Sequence, residues 1–276
     1  HVDAILISFF SQNRFSFELW LVIFHAIERQ QVGKGIGMDI EREILPTDIL
    51  IVGAGPAGLA LAYKLAKLVE ADGSVEMPEI LLMDKGAHVG AHSLSGAVMD
   101  PRGLAELIPD YKELGAPLEA EVIADAMYYL NKQSAIRIPF LPKELSNEGN
   151  YIVSLNKLTA WLGEQVEACG VDIYAGLAGY DLIIKDDRVT GVQTVDMGLN
   201  KEGEPRSNFE PGSIIEAKVT VLCEGVHGSL TRRAFENIPC LREDSLPQAY
   251  LTGVKEVWQV PEGRIKAGQV YHTIGW

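Results

Sequence analysis

An α/β fold built on a parallel sheet is predicted by three observations. A short, β-branched apolar run occupies Ile49 to Val52, a glycine-spaced turn follows it into a helix-forming stretch, and a second apolar run spans Ile80 to Met83. A continuous apolar run of this length suits a strand buried on both faces. Bulk composition agrees with a folded chain: 276 residues suffice for one large domain or two smaller ones, with 47% hydrophobic and 22% charged residues. The net charge of −14 argues against nucleic acid and against electrostatic attachment to an anionic membrane, so any bilayer contact has to rest on apolar side chains.

The first 37 residues differ from the rest, holding five of the eight phenylalanines. Gln12, Asn13, Arg14 and Glu18 interrupt the apolar runs, against a spanning helix, and neither a secretory signal nor an acid-poor transit peptide is recognisable. Met38 is the first methionine, so residues 1–37 are expected to be an extraneous leader.

From Asp48 the order is strand, glycines, helix, strand and terminal acid. Gly53, Gly55 and Gly58 stand in GxGxxG spacing, and Pro56 suits a first helical turn, where its missing N–H costs no bond. Gly53 permits the tight turn, Gly55 lets a pyrophosphate approach the backbone, and Gly58 lets helix and strand pack closely. With Ala57 these residues predict a diphosphate cradle, and Asp84, 26 residues past Gly58, is placed to accept from an adenosine ribose. That spacing exceeds the usual ~20, and the polar insert "EADGSVEMPE" accounts for the excess. The fold expected is a Rossmann-like dinucleotide-binding domain.

Downstream, "SLNKLTAWLGEQVEACG" aligns Leu155, Leu158, Leu162, Val166 and Cys169 on one helical face, with Ser154 and Gly170 as caps. "VDIYAG" reads as a strand and "LIIKDDRVTGVQTV" as a hairpin around Asp186 and Asp187. "DMGLNKEGEPRSNFEPG" is a long polar excursion. After it, Ile215, Ala217, Val219 and Val221 alternate with Glu216, Lys218 and Thr220, as in a strand with one wet face. That strand ends in Glu224 and Gly225, then Gly228 and Ser229 open a helix. This resembles the DG-type motif of flavoprotein hydroxylases such as para-hydroxybenzoate hydroxylase, with Glu224 in place of the usual aspartate. Paired with the first motif, it favours FAD over NAD.

Cys169, Cys223 and Cys240 form no CxxC pair, so neither a disulfide scaffold nor a four-cysteine iron–sulfur site is expected within this chain. His92 and Ser95 in "VGAHSLSGAVMDP" lack the strained elbow, oxyanion hole and acid of a hydrolase, and His88 with His92 lacks further metal ligands.

Five stretches, "GAGPAGLALAYKL", "VGAHSLSGAVMDP", "GNYIVSLNKLTAWLGEQVEACGVDIY", "DMGLNKEGEPRSNFEPG" and "GVKEVWQV…GQVYHTIGW", together resemble the electron-transfer flavoprotein–ubiquinone oxidoreductase family from Asp48 to Trp276. The resemblance implies an FAD enzyme that takes electrons from reduced electron-transfer flavoprotein and gives them to ubiquinone. It implies attachment to the bacterial cytoplasmic membrane's inner face or the mitochondrial inner membrane. A 4Fe-4S cluster is implied only in a later portion, so the chain is expected to be truncated.

The implied architecture is α/β: a Rossmann-like FAD-binding domain of the glutathione-reductase and para-hydroxybenzoate-hydroxylase type, with an inserted, incomplete α+β second domain. Segments 46–100, 145–180 and 214–240 are expected in the FAD domain, and 101–144 and 241–276 in the second. The implied cofactor contacts are Gly53, Gly55, Pro56, Ala57, Gly58, Asp84, Lys85, His92, Leu94, Ser95, Gly96, Glu224 and Gly225, with no catalytic side chain and no metal ligand. Residues 89–110, including Leu104, Leu107 and Ile108, are expected either to dip into a membrane surface or to form an ordinary core helix. Rival readings are a flavin monooxygenase or prenyl reductase of the same architecture, or an inactive FAD-binding fragment.

Overall fold

The computed structural model describes residues 3–7, 21–25, 41–93, 96–186, 188–243, 245–246, 250, 255, 258–259, 261, 263–264 and 266–275. Two compact units emerge. The first holds residues 41–91 and 162–249 with the strands at 3–7 and 21–25, and the second holds 92–161 and 250–276. Segments 92–100 and 145–161, grouped above with the nucleotide domain, cluster in the second unit.

In chain order the first unit begins with β1 (Asp3–Ile7), β2 (Leu21–His25), β3 (Ile44–Val52), α1 (Pro56–Asp72) and β4 (Ile80–Asp84). The second unit contributes β5 (Ala97–Met99), α2 (Arg102–Leu107), β6 (Leu118–Glu121), β7 (Ala124–Leu130), β8 (Ala135–Ile138) and β9 (Tyr151–Val153). Helix α3 (Leu155–Ala168) leads back to β10 (Asp172–Ala175), β11 (Gly179–Lys185), β12 (Arg188–Thr194), β13 (Met197–Leu199), β14 (Pro205–Glu210), β15 (Ile214–Leu222) and α4 (Ser229–Asn237). The last strand, β16 (Gln269–Gly275), belongs to the second unit.

The centre of the first unit is a parallel ribbon, β10–β4–β3–β15. Numbered by order in the chain these strands run third, second, first, fourth, the Rossmann order. β15 lies along β3 from Ile214 to Leu222, and its outer edge is shared by β12 near Ile215 and β2 near Leu222. β1 and β2, within the segment expected to be a leader, thus extend the sheet as an antiparallel pair. One sheet face packs Leu50, Val52, Leu81, Met83 and Ile215 with Leu182, Val192 and the Leu230 and Ala234 side chains of α4. On α1, Leu59, Ala62, Tyr63 and Ala66 are buried, and Gly58 faces Ile51. Pro56 opens α1, and Gly73, at φ 62°, ends it with an N–H bonded to the Val69 carbonyl.

Helix α3 buries Leu158, Leu162 and Val166 as the periodicity predicts, while Cys169 is only partly buried. The predicted hairpin forms between β11 and β12, with Asp186 at φ 48°, and Asp187 lies outside the described residues. One expectation fails. Thr220, placed on the wet face of β15, is only 1% exposed; it stands beside fully buried Leu50 of β3, so this end of the strand is covered on that face too. Glu216 and Lys218 do reach solvent, where they pair with Lys185 and Asp48. Of the two readings of residues 89–110, the burial of Ile108 favours an ordinary core helix, with Leu104 and Leu107 half-buried. Among the described residues no helix is long and apolar enough to cross a membrane.

The polar excursion is ordered as the β13–β14 ribbon. Asn200 Oδ1 accepts from the N–H groups of Glu202 and Glu204 and closes its turn. At its base Arg42 donates to both Asp196 oxygens, at 2.5 and 3.1 Å, and to the Gly212 carbonyl at 2.7 Å. The Gly212 N–H also donates to Asp196. The bonded Arg42 guanidinium holds the Asp196 carboxyl below its usual range. A carboxyl whose pKa is lowered by folding adds stability above its unfolded pKa and loses it as pH falls through the folded value. Asp196→Asn should therefore cost about 1–3 kcal/mol near pH 7. In urea unfolding series the gap from wild type should close in acid; a gap independent of pH would refute the assignment.

Candidate functional site

The parallel ribbon has its switch point between β3 and β15, whose connections depart to opposite sides; ligands of such sheets bind beyond the strand carboxyl ends at that point. There Gly53 leaves the sheet at φ 109°, its N–H donating to the Met83 carbonyl at 2.7 Å. The Cys223 N–H donates to the Val52 carbonyl at 2.7 Å, and a Cβ on Gly53 would lie 2.4 Å from the Cys223 oxygen. No side chain fits. Gly58 is equally constrained, since a Cβ there would lie 2.0 Å from the Gly53 oxygen.

Gly55 is different. It is the N-cap of α1 in ordinary extended geometry, and a Cβ there would meet nothing within 4 Å. The protein's own packing gives no reason for glycine, so the open space above the helix is what its smallness preserves. α1 has no side-chain cap bond and no acidic residue in its first turn. Its first amides and the positive end of its dipole are directed at that space, which fits an anionic diphosphate.

Asp84, at the end of β4, ties two loops together: the Ala54 N–H donates to Oδ2 at 2.7 Å and the Gly86 N–H to Oδ1 at 2.6 Å. This role was not read from the sequence, although an acid ending a strand beside a glycine turn is the signal for it. The carboxylate keeps lone pairs for a hydroxyl donor, since it accepts about four bonds. Lys85, beside it, is exposed.

Glu224 follows β15 and turns to α4, accepting from the Leu230 N–H at 3.1 Å, the Thr231 N–H at 2.7 Å and the Thr231 hydroxyl at 2.8 Å. Gly225, at φ 73°, forms the turn beyond it with open space at its Cβ position. Of the remaining predicted contacts, His92 and Gly96 are exposed residues of the second unit, and Leu94 and Ser95 lie outside the described residues. The structure thus brings together Gly53, Gly55, Pro56, Ala57, Gly58 and Asp84, with Glu224 and Gly225 at the neighbouring strand end. Among the described residues no group of three or more metal-binding side chains occurs.

A family profile described as "NAD(P)-binding Rossmann-like domain" matches residues 51–111. The mitochondrial electron transfer flavoprotein-ubiquinone oxidoreductase of Sus scrofa is 42% identical over 250 residues, covering 90% of this chain and 40% of that protein. The Homo sapiens protein of the same name is 43% identical over 242 residues, covering 87% and 39%. The Pseudomonas aeruginosa protein is 42% identical over 243 residues, covering 86% and 43%. The chain is homologous to these proteins along almost all of its length, and spans about 40% of theirs.

Two outcomes follow from this geometry. Gly58→Ala should destabilise the fold by about 3 kcal/mol or more through its clash with Gly53. Gly55→Ser should leave the melting temperature unchanged or raised, since serine supplies the missing cap, yet weaken dinucleotide binding at least about tenfold. Calorimetry alongside ligand titration separates the two, and unchanged affinity for Gly55→Ser would sink the cradle. Burial, and then the nearby Glu224 charge, push the Cys223 thiol up to about 12. At pH 8 iodoacetamide should modify exposed Cys240 in the native protein and Cys223 only after unfolding, as read by peptide mass.

Proposed function

We propose that this chain forms the FAD-binding part of an electron-transfer flavoprotein–ubiquinone oxidoreductase, which accepts electrons from reduced electron-transfer flavoprotein and delivers them to ubiquinone. The observation that carries the reading is the bare N-terminus of α1 at the switch point of the parallel sheet, in a chain homologous along nearly all its length to proteins of that name. Bound FAD would supply the redox chemistry, with the protein setting its position.

The chain's own residues bind and orient. The amides in the first turn of α1 hold the diphosphate, Gly55 lets it approach, and Gly58 keeps the helix close enough to present those amides. Asp84 accepts from the ribose while fixing Ala54 and Gly86. FAD is preferred to NAD because a second glycine turn, at Gly225, flanks the same crevice from β15. No side chain is assigned proton transfer. The place of work is a membrane surface, the inner face of a bacterial cytoplasmic membrane or the mitochondrial inner membrane. With Ile108 buried, bilayer contact by segment 89–110 would rest on Leu104 and Leu107.

The native protein should carry a flavin absorbance spectrum that bleaches with reduced electron-transfer flavoprotein and recovers with a ubiquinone analogue. Bleaching by NADPH instead would move the assignment to a monooxygenase or prenyl reductase. Bound flavin with neither response would leave a cofactor-binding protein without turnover. Leu104→Glu should reduce flotation with phosphatidylcholine liposomes; unchanged binding removes this segment from the membrane contact.

A further inference from the structure

We infer that Glu224 and Thr231 form a latch that positions the dinucleotide site, holding the turn after β15 against Gly53, an assignment that rests on the cofactor reading above. Both Glu224 oxygens are engaged by one turn of α4: Oε1 by the Leu230 N–H, Oε2 by the Thr231 N–H and hydroxyl. The helix needs this carboxylate, because its own N-cap, Gly228, makes no side-chain cap bond. Gly228 is small for the same reason: a Cβ there would lie 2.6 Å from Thr231 Oγ1 and 3.0 Å from Glu224 Oε2, filling the space through which the latch closes.

The other end of the latch is the crevice itself. Cys223, the residue before Glu224, donates to Val52 and sets its carbonyl over Gly53, while Gly225 takes the left-handed turn that sends the chain to α4. α4 is anchored in turn by Leu230 and Ala234, both buried in the core on one face of the sheet. A rigid helix therefore holds, through one carboxylate, the strand end that borders the phosphate cradle. Three of the carboxylate's roughly four acceptor positions go to protein donors, so its first part is to place backbone.

The test uses the native flavin-loaded protein and its Thr231→Val, Thr231→Ser, Glu224→Gln and Thr231→Val/Glu224→Gln variants. Flavin dissociation constants come from fluorescence titration after mild removal of the cofactor. Thr231→Val removes the hydroxyl that donates to Glu224, and should weaken flavin binding about three- to tenfold. Thr231→Ser should restore wild-type affinity, and the double variant should be no weaker than Glu224→Gln alone. Wild-type affinity in Thr231→Val beside a loss in Glu224→Gln would overturn the latch and make Glu224 a direct ligand. A wild type that takes up no flavin is a separate failure, that of the cofactor reading. The latch is then judged by amide hydrogen exchange of α4, where non-additive effects support it and independent effects overturn it.

Discussion

Everything in the first unit is organised around one crossing of backbone, where Gly53 passes between the ends of β4 and β15. Its N–H is held by Met83, and its Cα hydrogen faces the Cys223 carbonyl with no room for a methyl group. A side chain there would force the two central strands apart at their carboxyl ends. Because the strands cannot separate, the chain turns at once into α1, and Gly58 must come down onto the Gly53 oxygen. The direction of the helix, and so of its free amides, follows from that contact. The site is a consequence of how tightly the sheet's centre closes.

Local chemistry was legible in the sequence and long-range chemistry was not. The glycine spacing, Pro56 and the acid at 84 act within one strand–helix–strand unit, so their order along the chain reports their arrangement in space. Helix α3 was legible for the same reason, since a periodic face needs only its own residues. Thr220 was misplaced because alternation within β15 cannot report what covers its face at the end beside buried Leu50. The β13–β14 ribbon was invisible to an apolar pattern because a single asparagine turn and the Arg42–Asp196 contact organise it. Glu224 was recognised from its place in the motif, but its bonds to Leu230 and Thr231 were not. Its alignment in the motif is sequential, whereas its donors lie in a helix that begins only after a left-handed turn.

For a chain with net charge −14, the proposed binding of a doubly charged phosphate bridge needs an explanation in terms of distance. At physiological ionic strength charges beyond about 8 Å are largely screened, so the total charge bears on solubility and encounter more than on a contact. What acts at contact is the first turn of α1, which has no cap bond and no acidic residue to compete for its amides.

Two helices begin at the carboxyl ends of adjacent parallel strands here, and each N-terminus is an anion site in principle. Glu224 occupies the one belonging to α4 with a carboxylate of the chain itself. A second phosphate group arriving there would have to displace three hydrogen bonds and remain beside a negative charge in the same turn. The amides of α1 meet no such competitor. The crevice therefore leaves one helix end open to an anion and fills the other with a carboxylate of the chain itself.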